Sequence, residues 1–155
     1  MSGDFLHRGG LWVLGQSVLL GTVIAGGILC RNQWEQSLAL TLCGALLLLI
    51  GAGCGLAGSV SLGRNLTPFP KPSASANLVQ TGIYGLIRHP LYTAVLCGSV
   101  GWELVWRSWP ALLAALALAL LFDAKARREE HWLRQQFPEY ALYEQRVRRF
   151  VPWIY

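Results

Sequence analysis

This 155-residue sequence predicts an all-α fold, a polytopic membrane bundle of about four transmembrane helices, and three observations lead there. The composition is 54% hydrophobic with only 14% charged residues, which points to lipid as the surrounding solvent. Residues 11–29 and 38–62 are uncharged apolar runs, each long enough to cross a hydrocarbon core of ~30 Å as a helix. The basic residues gather at one end of the apolar runs.

Taken in order, the first run, LWVLGQSVLLGTVIAGGIL, is Gly-rich and leads into a second span, so it reads as a permanent helix and not a cleaved signal. The second run holds Gly51 and Gly55 in a G-x-x-x-G spacing, which lets helix backbones approach closely. Gly53, Gly55 and Gly58 also match a dinucleotide-binding pattern, but no strand precedes them, and the Rossmann reading fails. A Gly-lined face that makes room for a ligand stays open. The segment from Gly63 to His89 is long for a connection between spans, a length that usually marks function or disorder. Its Pro68, Pro70 and Pro72 favour extended backbone. Two shorter apolar runs, 91–106 and 108–122, are divided by Arg107 and Pro110; Pro110 suits a first helical turn, which predicts a hairpin. The last helix continues into polar sequence. The whole chain, 1–155, reads as one integral membrane domain, with two spans in 1–62 and a second half in 63–155.

If the N-terminus is cytoplasmic, eleven of the thirteen Lys and Arg residues lie inside and only Arg31 and Arg107 outside. That is a positive-inside pattern, and it predicts a multi-pass protein with both termini and the 63–90 loop cytoplasmic. The net charge of +5 then faces anionic membrane lipids. Nucleic acid is not an expected partner, because the basic residues abut spans and no binding module is visible. Cys30, Cys43, Cys54 and Cys97 lack a paired spacing and read as packing residues, with neither disulfide nor metal site expected.

The stretch GIYGLIRHPLY, residues 82–92, sets Arg88 and His89 at a membrane edge. Alone, such a pair reads as side chains snorkelling to lipid phosphates. A second polar cluster continues the last span. Asp123, Arg127, Glu130 and Arg134 form an alternating-sign helical row, a self-paired solvated face, although a functional Glu130 also stays open. Glu129 falls on the adjoining row with Phe122, Ala126 and Leu133. A carboxylate in an apolar stripe is costly without a partner, so Glu129 is expected to face inward and to serve function.

Together, TGIYGLIRHPLY, a helical hairpin and RREEHWLRQQFPEYALYEQRV resemble the isoprenylcysteine carboxyl methyltransferases and the related phospholipid methyltransferases over about residues 60–152. The resemblance implies an integral membrane enzyme that uses S-adenosylmethionine, bound on the cytoplasmic side by the 63–90 loop and the C-terminal helices. It implies Leu78, Gly82, Tyr84, His89, Tyr92, Glu129 and Glu130 as cofactor residues, and Arg88 and Arg146 as catalytic residues holding a substrate carboxylate. These side chains suit the ligand: cationic donors for its carboxylate, carboxylates for its ribose or amino group, aromatic faces for adenine or sulfonium. The substrate implied is lipid-like, foremost a prenylated cysteine methylated on its carboxyl. A phospholipid amine is the alternative acceptor, and His89 or Glu129 would then be candidate bases. Some sterol reductases resemble these enzymes in their C-terminal half, so a nicotinamide-dependent reductase stays open, as does a non-catalytic membrane interaction protein.

Overall fold

The computed structural model describes residues 2–73 and 75–155, and every regular element among them is helical. Short α1 (Ser2–His7) precedes α2 (Gly10–Leu29) and α3 (Leu38–Leu62). Single 3-10 turns at Gly63–Asn65 and Gly82–Gly85 bracket an extended loop, and α4 (Pro90–Trp106), α5 (Trp109–Gln136) and α6 (Tyr140–Arg146) complete the chain. Helices α2, α3 and α5 are long and apolar enough to cross a membrane. Helix α4, at 17 residues, stands at the lower limit of such lengths.

These helices bury little and expose much, as expected where lipid is the solvent. Leu11, Leu14, Val18 and Leu29 of α2 and Leu42, Leu46, Leu49 and Leu56 of α3 are all exposed. Lipid tails are as apolar as leucine, so what draws helices together is close packing at small residues. The seam of α3 is Gly44, Gly51 and Gly58, the buried residues of that helix, spaced seven apart. A methyl group on Gly44 would stand 2.9 Å from Gly101 O, and one on Gly51 2.8 Å from Ala94 O, so α3 rides directly on the backbone of α4. The G-x-x-x-G reading therefore finds the right helix face, with Gly51 at its centre and Gly55 at its margin. At the loop end, Leu91 and Pro90 fill the space beside Gly58, so the glycine face packs a helix and leaves no ligand gap there.

Helix α5 packs on α2 in the same manner, Gly26 facing Ala111. The hairpin between α4 and α5 is built as the sequence predicts. Arg107 closes α4 in the left-handed conformation (φ 60°), Ser108 caps α5 by accepting from Ala111 N–H, and Pro110 sits in the first turn. The Ser108 hydroxyl also donates to Gly26 O at 2.9 Å, which fixes the start of α5 on α2.

At the other end of the bundle two devices hold the loop and the tail. Lys125, buried on α5, donates to Gln16 Oε1 (2.5 Å) on α2 and to Pro68 O (3.0 Å) in the loop. The tail beyond α6 runs alongside residues 87–89: Arg88 N–H donates to Arg148 O (2.8 Å) and His89 N–H to Arg149 O (3.0 Å). Loop, α4 start, α5 and tail thereby converge on one spot.

Candidate functional site

A cleft enclosing about 820 Å³ of empty space, its open mouth included, lies at this convergence. The loop supplies one wall with Phe69, Pro70, Leu78 and Val79, the start of α4 gives Leu91 and Tyr92, and α5 and α6 close it with Glu129, Leu133, Phe137, Tyr140 and Tyr143. Gly82, at φ 61°, does not line it. Its left-handed backbone turns the chain so that Tyr84, Arg88 and His89 reach the cleft behind it.

Beneath the cleft lies a charged hub centred on Glu130. This residue is fully buried, although the helical spacing places it in a solvated row. Glu130 Oε1 accepts from Arg88 Nη2 (2.9 Å) and Nε (3.2 Å), from Arg149 Nε (3.0 Å), and lies 3.1 Å from His89 Nε2. Its Oε2 accepts from Arg149 Nη2 at 2.7 Å. The self-paired surface row is thus corrected. Asp123 does pair with Arg127 (2.8 Å), but Arg134 pairs chiefly with Glu144 (2.6 Å) and stands 3.9 Å from Glu130. Residue 130 continues the buried line of Leu118, Phe122 and Ala126 at four-residue steps, and the tail's Arg149 makes its burial tolerable.

Arg88 spends its donors here as well, since Nη1 goes to Glu144 O (2.8 Å) and Val147 O (2.5 Å). It borders the cleft as a clamp joining α4, α5 and the tail. Because Glu130 offers only acceptors, His89 Nε2 must carry a proton, while Nδ1 stands 3.8 Å from Glu129 Oε2 in the cleft wall.

Glu129 differs from its neighbour in both exposure and satisfaction. Its side chain is 27% exposed, Oε2 accepts from Tyr92 OH at 2.6 Å, and Oε1 has no donor among the described residues. The Tyr92 ring stacks on His89 (5.2 Å, 2° between planes) and on Phe122 (4.7 Å, 16°), so its faces are occupied and its hydroxyl orients Glu129. The inward, cleft-lining position expected for Glu129 is the one found.

The sequence reading missed Tyr140. Its hydroxyl is buried in the cleft lining without a partner among the described residues, a group that a bound molecule would satisfy. The spacing of Tyr140 and Tyr143 on α6 and of Val147 just past its end, three and then four residues apart, is a buried face that could have pointed to it. Tyr143 donates to Tyr84 O at 2.6 Å and locks the loop onto α6. Burial, with the nearby charge of Glu129 reinforcing it at Tyr84, pushes the Tyr84, Tyr140 and Tyr143 phenols well above their ordinary range, so all three stay protonated near neutrality.

The structure does not bring Arg146 to this cleft. Tyr143 and Val147 take the inward face of α6, which turns Arg146 outward beside Gly85, Leu86, Arg148 and Trp153.

Residues 39–140 match the family described as phospholipid methyltransferase. The nickel-cobalt-cadmium resistance protein NccN of Alcaligenes xylosoxydans xylosoxydans is 36% identical over 148 residues, 94% of this chain and 65% of that protein. The cobalt-zinc-cadmium resistance protein CzcN of Cupriavidus metallidurans is 33% identical over 150 residues, 94% and 64% of the two chains. Protein-S-isoprenylcysteine O-methyltransferase B of Arabidopsis thaliana is 30% identical over 128 residues, 80% and 62%. The chain spans less than two thirds of the length of these curated relatives.

Proposed function

The chain belongs to the phospholipid methyltransferase family, and from that premise we propose that it transfers a methyl group from S-adenosylmethionine to a lipid-like acceptor at the cytoplasmic membrane face. The reading is carboxyl O-methylation of an isoprenylcysteine-type acid, supported by the similarity to the Arabidopsis O-methyltransferase. One observation carries it: a single cleft sets the partner-poor polar atoms of Glu129, His89 and Tyr140 against an apolar wall of Leu78, Leu133 and Phe137.

Those residues fit the cofactor by chemistry. Glu129 would accept from its amino group or ribose hydroxyls, Tyr140 would hydrogen-bond its polar end, and the apolar wall would cover adenine. When bound, S-adenosylmethionine supplies an electrophilic methyl on a sulfur that leaves without acid assistance. What the protein must add is alignment and exclusion of water. Tyr92 holds Glu129 in place, the Lys125 tether keeps the Pro-rich loop over the cleft, and the Tyr143–Tyr84 bond closes its far side. A carboxylate acceptor is ionised at neutral pH and needs no base, only the one Arg88 N–H, on Nη2, that the hub leaves without an acceptor.

The outward position of Arg146 favours a second reading, an amine acceptor as in phospholipid methylation, because the carboxylate grip then rests on Arg88 alone. An amine must shed a proton, and His89 Nδ1 and Glu129 are the acceptors at hand. Equilibrium binding and a product assay test the proposal together. Purified protein is expected to bind S-adenosylhomocysteine and not NADPH, and to yield a base-labile ester from a prenylated cysteine. A base-stable N-methyl product selects the amine; NADPH binding, or no binding of either, ends the methyltransferase reading.

The same proposal has four spans, α4 included, with both termini and the 63–90 loop on the cytoplasmic side. A cysteine placed at Lys71 should label only from the cytoplasm, and labelling from the outer face would overturn this orientation.

A further inference from the structure

Four arginines at the loop end of the bundle are spent on carboxylates. Arg88 and Arg149 pair with Glu130, Arg127 with Asp123, and Arg134 with Glu144. Arg146 and Arg148 are exposed and neither has an acidic or aromatic partner among the described residues, whereas Arg8 and Arg128 lie over the Phe69 and Trp132 rings; the one side-chain bond of Arg146 is a 3.4 Å contact to Leu142 O. Arg146 and Arg148 line a shallow groove with Gly85, Leu86, Gln145 and Trp153, separate from the cleft and enclosing about 560 Å³ with its open face.

We propose that this groove binds the phosphate of an anionic phospholipid headgroup and seats the C-terminal segment on the membrane. Depth is the first argument. Arg148 O accepts from Arg88 N–H two residues before Pro90, which opens α4, so the groove lies at the level where that helix meets the headgroups. Chemistry is the second, because two guanidinium groups without acidic partners form a donor set matched to phosphate oxygens. The third argument separates a lipid from a free ion. Trp153 is 86% exposed, held at φ 63°, and Ile154 and Leu86 are exposed near the same groove. Inorganic phosphate has no use for that apolar rim, whereas a headgroup carries chains to cover it, and tryptophan is the residue that prefers this interface.

The full chain in detergent, titrated with dihexanoyl phosphatidylglycerol or dihexanoyl phosphatidylcholine with bound lipid counted by native mass spectrometry, tests the assignment. Phosphatidylglycerol should bind in clear preference. With about a five-fold contribution per arginine near an anionic headgroup, Arg146→Gln with Arg148→Gln should weaken it about twenty-five-fold and weaken binding of phosphatidylcholine, whose choline cation offsets its phosphate, much less. The corresponding lysine pair should keep most of the preference, and an unchanged thermal midpoint certifies the fold. If the glutamine pair folds poorly, Arg148→Gln alone should still give about a five-fold loss. Equal binding of the two lipids by wild type, or an undiminished preference in the glutamine variants, overturns the proposal. So does competition by inorganic phosphate as effective as that of phosphatidylglycerol, which would make the groove a plain anion site.

Discussion

Glu130→Gln is expected to destabilise the protein by about 3–5 kcal/mol, the cost of removing one partner from a buried ion pair. The substitution keeps the shape and deletes the charge on which Arg88, Arg149 and His89 converge. Arg88 and Arg149 are then left 9% and 14% exposed with no equivalent counter-charge at Oε1 and Oε2, and an amide must place an NH2 group where a carboxylate oxygen accepted donors. The damage should be global at this end of the molecule, because the hub joins α5, the start of α4 and the tail through charged groups, with only the Arg149–Asp123 ion pair beside it to hold the tail to α5 among the described residues. A fall in thermal midpoint on the order of 10 °C is expected for a chain of this size. Arg149→Gln is the milder companion, since Glu130 keeps Arg88 and His89. A Glu130→Gln protein as heat-stable as wild type would show that the hub contributes nothing to the fold.

How much of this was legible in the sequence follows from the range of the forces involved. The apolar runs at 11–29, 38–62 and 91–106 reappear as the helices Gly10–Leu29, Leu38–Leu62 and Pro90–Trp106, because a run of apolar residues and a Pro at a helix start are local signals. The last helix, read as a span that continues into polar sequence, does so as far as Gln136. The relative depth of Glu129 and Glu130 was not legible. Helical spacing counts neighbours on α5, and Glu130 is instead stabilised by Arg149, nineteen residues later, on a segment with no helical register. The same break explains the two C-terminal arginines. Helix α6 ends at Arg146, the chain becomes extended at Val147, and the alternation that follows delivers Arg149 inward and Arg148 outward. Tyr140 was within reach of its local pattern, but an unsatisfied hydroxyl becomes visible only once the walls around it are in place.

Glu129→Gln is expected to do the opposite of its neighbour, costing ligand and sparing the fold. Affinity for S-adenosylhomocysteine should fall ten- to a hundred-fold, the equivalent of about 1.5–3 kcal/mol for one charged hydrogen bond in a partly buried site. The thermal midpoint of the free protein should hardly move. Glu129 is 27% exposed and makes one hydrogen bond, from Tyr92, which a glutamine oxygen can still accept. Tyr92→Phe tests the same site from the other side. It removes the hydroxyl that orients the carboxylate and leaves the charge, so its effect on affinity should lie between wild type and Glu129→Gln. Calorimetry on folded, monodisperse protein gives both numbers for each variant. If Glu129→Gln binds as tightly as wild type, the cleft does not use this carboxylate. If it loses stability as heavily as Glu130→Gln, the two residues form one structural cluster and the separation of a ligand-facing carboxylate from a fold-holding one is wrong. The adjacent pair in RREEH thus divides its labour by depth alone, one residue turned to the cleft and the next to the arginines beneath it.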